Sequence, residues 1–139
     1  MNDRPKGAAA SVPAAGNYDS DGTPWPIEIK LDRASARLDI DFDDGRSFSY
    51  PAEYLRIESP SAEVQGHSAD QKKIVPGKRH VGIVGIETVG NYAIRINFDD
   101  RHDTGLFSWA YLRDLGETYD AKWRTYLAAL RERNLSRDP

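Results

Sequence analysis

At 139 residues the chain has the length of one domain. Its 39% hydrophobic and 29% charged residues suit a globular fold with a modest core, while a net charge of −3 and a pI near 5.6 argue against nucleic acid, which calls for a basic face. The absence of cysteine removes disulfides, thiolate metal sites and thiol nucleophiles together and suits a reducing cytoplasm.

Residues 1–23 are rich in Ala, Gly, Ser, Asp and Pro, with Met1 and Val12 as the larger apolar residues. Such a stretch buries too little surface to offset its ordering entropy, so it reads as a disordered tail. Ser11, Val12 and Pro13 interrupt its alanines, so it lacks the apolar core of a signal peptide. No run in the chain approaches the roughly 20 apolar residues that cross a bilayer. The expectation is a cytoplasmic protein with no membrane partner.

Order is expected from Trp25, since residues 27–31 alternate apolar and charged side chains as a half-buried strand does. In the next run Leu38, Ile40 and Phe42 share one face, and Arg37, Asp39, Asp41 and Asp43 the other. Asp44-Gly45 supplies a turn, and Phe48 and Tyr50 begin the return strand of a β-hairpin. Pro51 ends it, and residues 52–56 form a short helical turn. Residues 57–80 are polar and irregular, with turn formers at Ser59-Pro60, Gly66 and Pro76-Gly77. A β pattern resumes over residues 81–86, followed by a turn at Gly90-Asn91. Residues 118–133 read as a helix, with Tyr119, Trp123, Tyr126, Leu127 and Leu130 on one stripe.

One pattern occurs twice. Leu38-Asp39-Ile40-Asp41-Phe42-Asp43-Asp44 recurs as Ile94-Arg95-Ile96-Asn97-Phe98-Asp99-Asp100, and each run is followed by an aromatic strand, Phe48-Ser49-Tyr50 or Phe107-Ser108-Trp109. Each then reaches the same tripeptide, Tyr54-Leu55-Arg56 or Tyr111-Leu112-Arg113. A lone hairpin is marginal in water, so two must bury their apolar faces together. The fold expected is mainly β (α+β): two related β-hairpin units forming a small antiparallel sheet or sandwich with a C-terminal amphipathic helix. Arg56 and Arg113 would anchor carboxylates or carbonyls beneath the hairpins.

The segments Asp44-Gly45-Arg46, residues 50–56 and residues 59–67, with residues 90–94 and 102–112 after them, resemble a known bacterial family. It is the stand-alone version of the N-terminal domain of gamma-butyrobetaine hydroxylase, and the likeness spans roughly residues 25–116. The division expected is a tail over residues 1–23, this β domain over 24–116, and a C-terminal helix and tail over 117–139. The resemblance implies a structural zinc held by three cysteines and one histidine, at positions that look like Ser59, Ser61, Val64 and His102 here. Three of the four ligands are missing, so no cofactor is expected and the family's zinc is taken as lost. The resembled turn usually has Gly where this chain has Arg101. The hydroxylase's iron triad belongs to a separate domain, and no histidine follows His102-Asp103 to begin one. Related domains occur joined to iron–sulfur carrier ATPases, which points towards metal- or cofactor-handling systems.

His67, His80 and His102 are the histidines. His102 with Asp100 and Asp103 is the candidate metal site for iron or zinc; the bland alternative is a solvated acidic turn. Ser108, His102 and Asp103 can be assembled on paper as a triad, but no nucleophile elbow surrounds a serine. Gly82-Ile83-Val84-Gly85 lacks the lysine of a phosphate loop. No catalytic residues are therefore assigned. Arg56, Arg113, Tyr54 and Tyr111 are the candidate interaction residues, since arginines and aromatics dominate interface hot spots; core packing is the alternative for such aromatics. The function expected is a non-catalytic binding or accessory module with a protein partner, and a metal-binding protein centred on His102 is the second reading.

Overall fold

A computed structural model describes residues 11–13, 23–66 and 72–139. Strand β1 (Ser11–Pro13) pairs antiparallel with β2 (Pro26–Asp32), which pairs with β3 (Arg37–Phe42), which pairs with β4 (Ser47–Pro51). Helix α1 (Ala52–Ile57) and the single turn α2 (Ala62–Gln65) follow. A second sheet contains β5 (Ile83–Val89), β6 (Ala93–Phe98) and β7 (Leu106–Ser108), also antiparallel. Helices α3 (Trp109–Glu117) and α4 (Tyr119–Glu132) complete the chain. Among the described residues no helix is long and apolar enough to cross a membrane.

The two hairpins form as their alternation dictates. Leu38, Ile40 and Phe42 are buried from one sheet, and Ile94, Ile96 and Phe98 from the other. Both sets join one core with Tyr50, Tyr54, Leu55, Phe107, Leu112 and Leu115. Trp25 meets Trp109 edge-to-face across it, with ring centroids 6.3 Å apart.

The duplication is deeper than the repeated words suggest, because β2 and β5 belong to it as well. The register of β2 on β3 shifts between Pro26 and Glu28, and that of β5 on β6 shifts between Ile83 and Gly85. The residues passed over, Ile27 and Val84, are both exposed apolar side chains 57 positions apart. Asp43 N–H donates to the Trp25 carbonyl at 2.8 Å, and Asp99 N–H to the Gly82 carbonyl at 2.9 Å. Phe42 N–H donates to Arg46 O, and Phe98 N–H to His102 O. Each copy is thus three strands and a helix.

The copies are joined by reciprocal bonds. Tyr54 Oη donates to the Leu115 carbonyl at 2.7 Å, and Tyr111 Oη to the Glu58 carbonyl at 2.6 Å. Arg56 Nε holds Asp100 of the second hairpin turn at 2.8 Å. Arg113 grips Asp44 of the first with two bonds, at 3.0 and 2.6 Å, while its guanidinium lies 5.0 Å from the Phe42 ring centre. The arginines do anchor carboxylates, but each reaches the opposite copy's turn.

Three expectations need correction. Ser11–Pro13 lies in the segment read as a tail, yet its backbone pairs with residues 28–30. Pairing against an open strand edge requires no apolar side chain, so composition does not register it. The rest of residues 1–22 lies outside the described residues. Trp109, read as strand, opens α3 instead, because Ser108 Oγ accepts the Tyr111 N–H at 3.1 Å and caps a helix there. The first copy's helix stops sooner, since Ser59 precedes Pro60 and is steered away from helical geometry. Within the stretch read as irregular, Ser61 accepts from Glu63 N–H and starts α2.

Arg101 adopts φ +72°, matching φ +87° at Gly45 in the first copy's turn. The second turn therefore keeps its shape at the expense of a side chain in the left-handed region, which costs roughly 1–2 kcal/mol outside glycine. Replacing Arg101→Gly is expected to stabilise the protein by about 1 kcal/mol and raise its Tm by about 4 °C, read by thermal denaturation. An unchanged or lower Tm would show that the turn is not strained.

Candidate functional site

His102 lies at the end of the second hairpin turn, where the first copy has Arg46. Arg46 stacks outward on Phe48, with 5.0 Å to the ring centre. His102 is turned inward and is 5% exposed. Its Nε2 lies 2.9 Å from Ser59 Oγ and its Nδ1 lies 2.9 Å from Glu63 Oε1. Burial, with the Arg56 charge adding to it, lowers the imidazole pKa against the opposing pull of Glu63 and Asp100. The ring is therefore neutral near pH 7. A carboxylate only accepts, so Nδ1 carries the hydrogen and Nε2 accepts from the Ser59 hydroxyl. Ser59 Oγ in turn accepts the Ser61 N–H at 3.3 Å, and Ser61 Oγ bonds Thr104 Oγ1 at 2.7 Å.

This chain of serine, histidine and glutamate has the connectivity of a hydrolytic triad. Its nucleophile is shut in, however: Ser59 is 0% exposed. Gly105 presses against it so closely that an added methyl would collide with Ser59 Oγ and sit 3.2 Å from Pro60 Cδ. A carbonyl carbon has no approach to the hydroxyl. Ser108 and Asp103, the partners considered for His102 from sequence, are elsewhere: Ser108 caps α3, and Asp103 is exposed in the turn. Glu63 gave no sequence signal beyond its place three residues before Gly66.

The metal candidates are not gathered either. Asp100 accepts from Arg56 Nε at 2.8 Å, from Lys78 Nζ at 2.5 Å and from the His102 backbone N–H at 3.2 Å, while the imidazole nitrogens bond Ser59 and Glu63 instead. Burial raises the Asp100 carboxyl, but the bonds from Lys78 and Arg56 outweigh it and hold the pKa at about 2. Among the described residues no group of three or more His, Asp or Glu side chains is placed to hold a metal. His80 is exposed, and His67 lies outside the described residues. Of the positions likened to zinc ligands, Ser59, Ser61 and His102 do meet, with Val64 buried one turn on in α2. Two neutral hydroxyls, an imidazole and an isopropyl group do not make a zinc donor set.

The interaction candidates turn inward. Tyr54 is fully buried, Arg113 is nearly so, and Arg56 and Tyr111 are spent on the bonds between copies described above. Their chemistry is that of interface hot spots, but the interface is internal.

Sequence reasoning missed a groove of about 410 Å³ between α4 and residues 72–75. Ile57 and Tyr126 form its floor, Ile74 and Val75 one wall, and Ala121 and Ala129 the other. Several bonds hold the wall of residues 72–75 in place. Tyr126 Oη donates to the Val75 carbonyl at 2.6 Å, and Lys73 N–H to the Val64 carbonyl at 2.7 Å. Farther along, Gly77 and Arg79 N–H groups donate to the Ser136 and Arg137 carbonyls, and Arg137 clamps the buried Glu53 with bonds of 2.8 and 2.6 Å. Arg137 also lies 5.1 Å from the Trp123 ring centre. Lys72, Lys73 and Lys122 stand at the rim. The sequence signal, in retrospect, was Ile74-Val75 alone between lysines and Pro76, opposite small residues on α4.

Acid should loosen the pairing of Asp100 with Arg56 and Lys78 in a defined window. A carboxyl at about 2 when folded and 3.8 when unfolded contributes stability that is whole above pH 4 and lost as pH falls towards 2. Asp100→Asn is expected to flatten that part of the stability–pH curve by about 2 kcal/mol in denaturant titrations; a curve parallel to wild type would rule the pairing out. Gly105→Ala should cost about 3 kcal/mol through overpacking against Ser59, and a cost under half that would mean the knot has room to open.

The geometry can be set beside known proteins. No curated protein matches the chain. Two proteins with structures solved by NMR are 46% and 45% identical; the first covers 85% of this chain and 93% of its own with a TM-score of 0.75, the second 89% and 92% with 0.74. A crystal structure from Acidithiobacillus ferrooxidans, of a DUF971-family protein of unknown function, is 38% identical over 66% of this chain and 91% of its own, with a TM-score of 0.56. The family model for the gamma-butyrobetaine hydroxylase-like N-terminal domain matches residues 29–113, which takes in both copies of the repeat from β2 to the Arg113 clasp. With that match over more than half its length, the chain belongs to the gamma-butyrobetaine hydroxylase-like N-terminal domain family.

Proposed function

We propose that this protein is a non-catalytic binding module whose seat is the groove between α4 and residues 72–75. The observation that carries the reading is a contrast in access. The serine–histidine–glutamate chain has triad connectivity but a nucleophile with no exposed surface. The groove is open and apolar, and Glu58, its one carboxylate among the described residues, is tied to Lys72 at 2.6 Å. Binding sites are commonly concave, largely apolar and marked by a few placed polar groups. Turnover instead needs a nucleophile or base within reach of substrate.

As an accessory module it would serve another protein through what the groove holds, and the resemblance to domains joined to iron–sulfur carrier ATPases makes metal- and cofactor-handling proteins the class to try first. Ala121 is exposed on α4, so Ala121→Trp fills the groove without disturbing the core. Quantitative affinity capture should recover at least one metal- or cofactor-handling protein with wild type that falls at least tenfold with Ala121→Trp at unchanged Tm. Identical recovery on both would sink the groove as the seat. Covalent labelling of Ser59 by a fluorophosphonate would sink the non-catalytic assignment.

A further inference from the structure

The groove's lining narrows what it can hold. This inference rests on the groove being a binding seat and names the chemistry of its occupant. Along α4 the groove runs from Thr118 to Ala129, a length of about 16 Å at the helical rise. Its walls are methyl and methylene surface from Ile74, Val75, Ala121 and Ala129 over Ile57. A peptide strand entering it would need free backbone groups along the wall, and two of these are already taken. The Lys73 N–H is committed to Val64 and the Val75 carbonyl to Tyr126. An alkyl chain makes no such demand, since each methylene it buries gains by leaving water without a hydrogen-bond partner.

The rim sets the charge. Although the chain carries a net charge of −3, three lysines gather here. Lys72 is neutralised by Glu58 at 2.6 Å, and Lys122 approaches the exposed Asp114 only to 3.9 Å. Lys73 has an exposed side chain and no ion pair among the described residues. Lys73 and Lys122 line the same groove and present ammonium groups, strongly hydrated point charges suited to a single anionic head.

We propose that the groove binds a small straight-chain amphiphile with an anionic head, its chain along Ile57, Ile74, Val75 and Ala129 and its head between Lys73 and Lys122. Binding would leave the fold unchanged, because the wall of residues 72–75 is already held by Tyr126 and Val64.

The test uses the full chain and dodecanoate below its micellar concentration, followed by calorimetry and by amide NMR shifts. Saturable one-to-one binding is expected, with shifts centred on Ile74, Ala121, Thr125 and Ala129. Dodecyltrimethylammonium, with the same chain and opposite charge, should bind at least tenfold more weakly. Lys73→Glu with Lys122→Glu should reverse that order at unchanged Tm, and Ala121→Trp should abolish binding of both. No saturation, shifts elsewhere, or equal affinity for the two head groups overturns the proposal. If dodecanoate fails while Ala121→Trp still loses a captured protein, the seat stands and its occupant is a macromolecule. If both fail, the groove is not a binding site.

Discussion

The fold depends on a reciprocal clasp between two copies of one unit. Tyr54 and Tyr111 each bury a hydroxyl against a carbonyl in the other copy's helical segment, and Arg56 and Arg113 each reach the acidic turn of the other hairpin. A buried carbonyl left unpaired costs about 1–3 kcal/mol, and a buried arginine without its carboxylate costs more. Neither copy can satisfy its own groups, and neither can cover its own apolar face. The two sheets share one core because each is the other's missing half.

The equivalence breaks where the chain becomes individual. Arg46 and His102 occupy the same place in the two turns, yet one lies on the surface and the other plugs the space beneath Ser59 and Glu63. That plug shows how connectivity and reactivity separate. The bonds among Ser59, His102 and Glu63 follow a catalytic order, but Ser59 has no exposed surface and Gly105 packs against its hydroxyl. The imidazole is held neutral by burial, which suits a structural acceptor as well as it would suit a base.

The groove arises from the part of the chain outside the duplication. Helix α4 is fixed to the first copy by an aromatic run, with Tyr119 edge-on to Tyr54 at 4.7 Å and stacked towards Trp123 at 6.2 Å. The C-terminal segment then turns back so that Arg137 satisfies Glu53 and the chain near Gly77 and Arg79 is pinned. With helix and connecting segment both held, the space between them stays open and lined.

Much of this was legible beforehand, for physical reasons. Period-two alternation located β3 and β6, the recurring Asp-Asp and Tyr-Leu-Arg words located the copies, and the aromatic stripe located α4. All are local, and local patterns survive in a linear string. The partners of Arg56, Arg113 and His102 are 44, 69 and 43 residues away in their closest bonds, and no periodicity encodes such distances. Composition likewise missed β1, whose bonds are made by backbone.

By itself the sequence determined that two like hairpins and a terminal helix must share a core, because neither hairpin can bury its apolar face alone. Tertiary structure decided that the conspicuous tyrosines and arginines face inward, that His102 is sealed, and that plain residues such as Ile74, Ala121 and Lys73 border the open groove. Residue type sets what a side chain can do. Packing sets whether anything outside the protein can reach it.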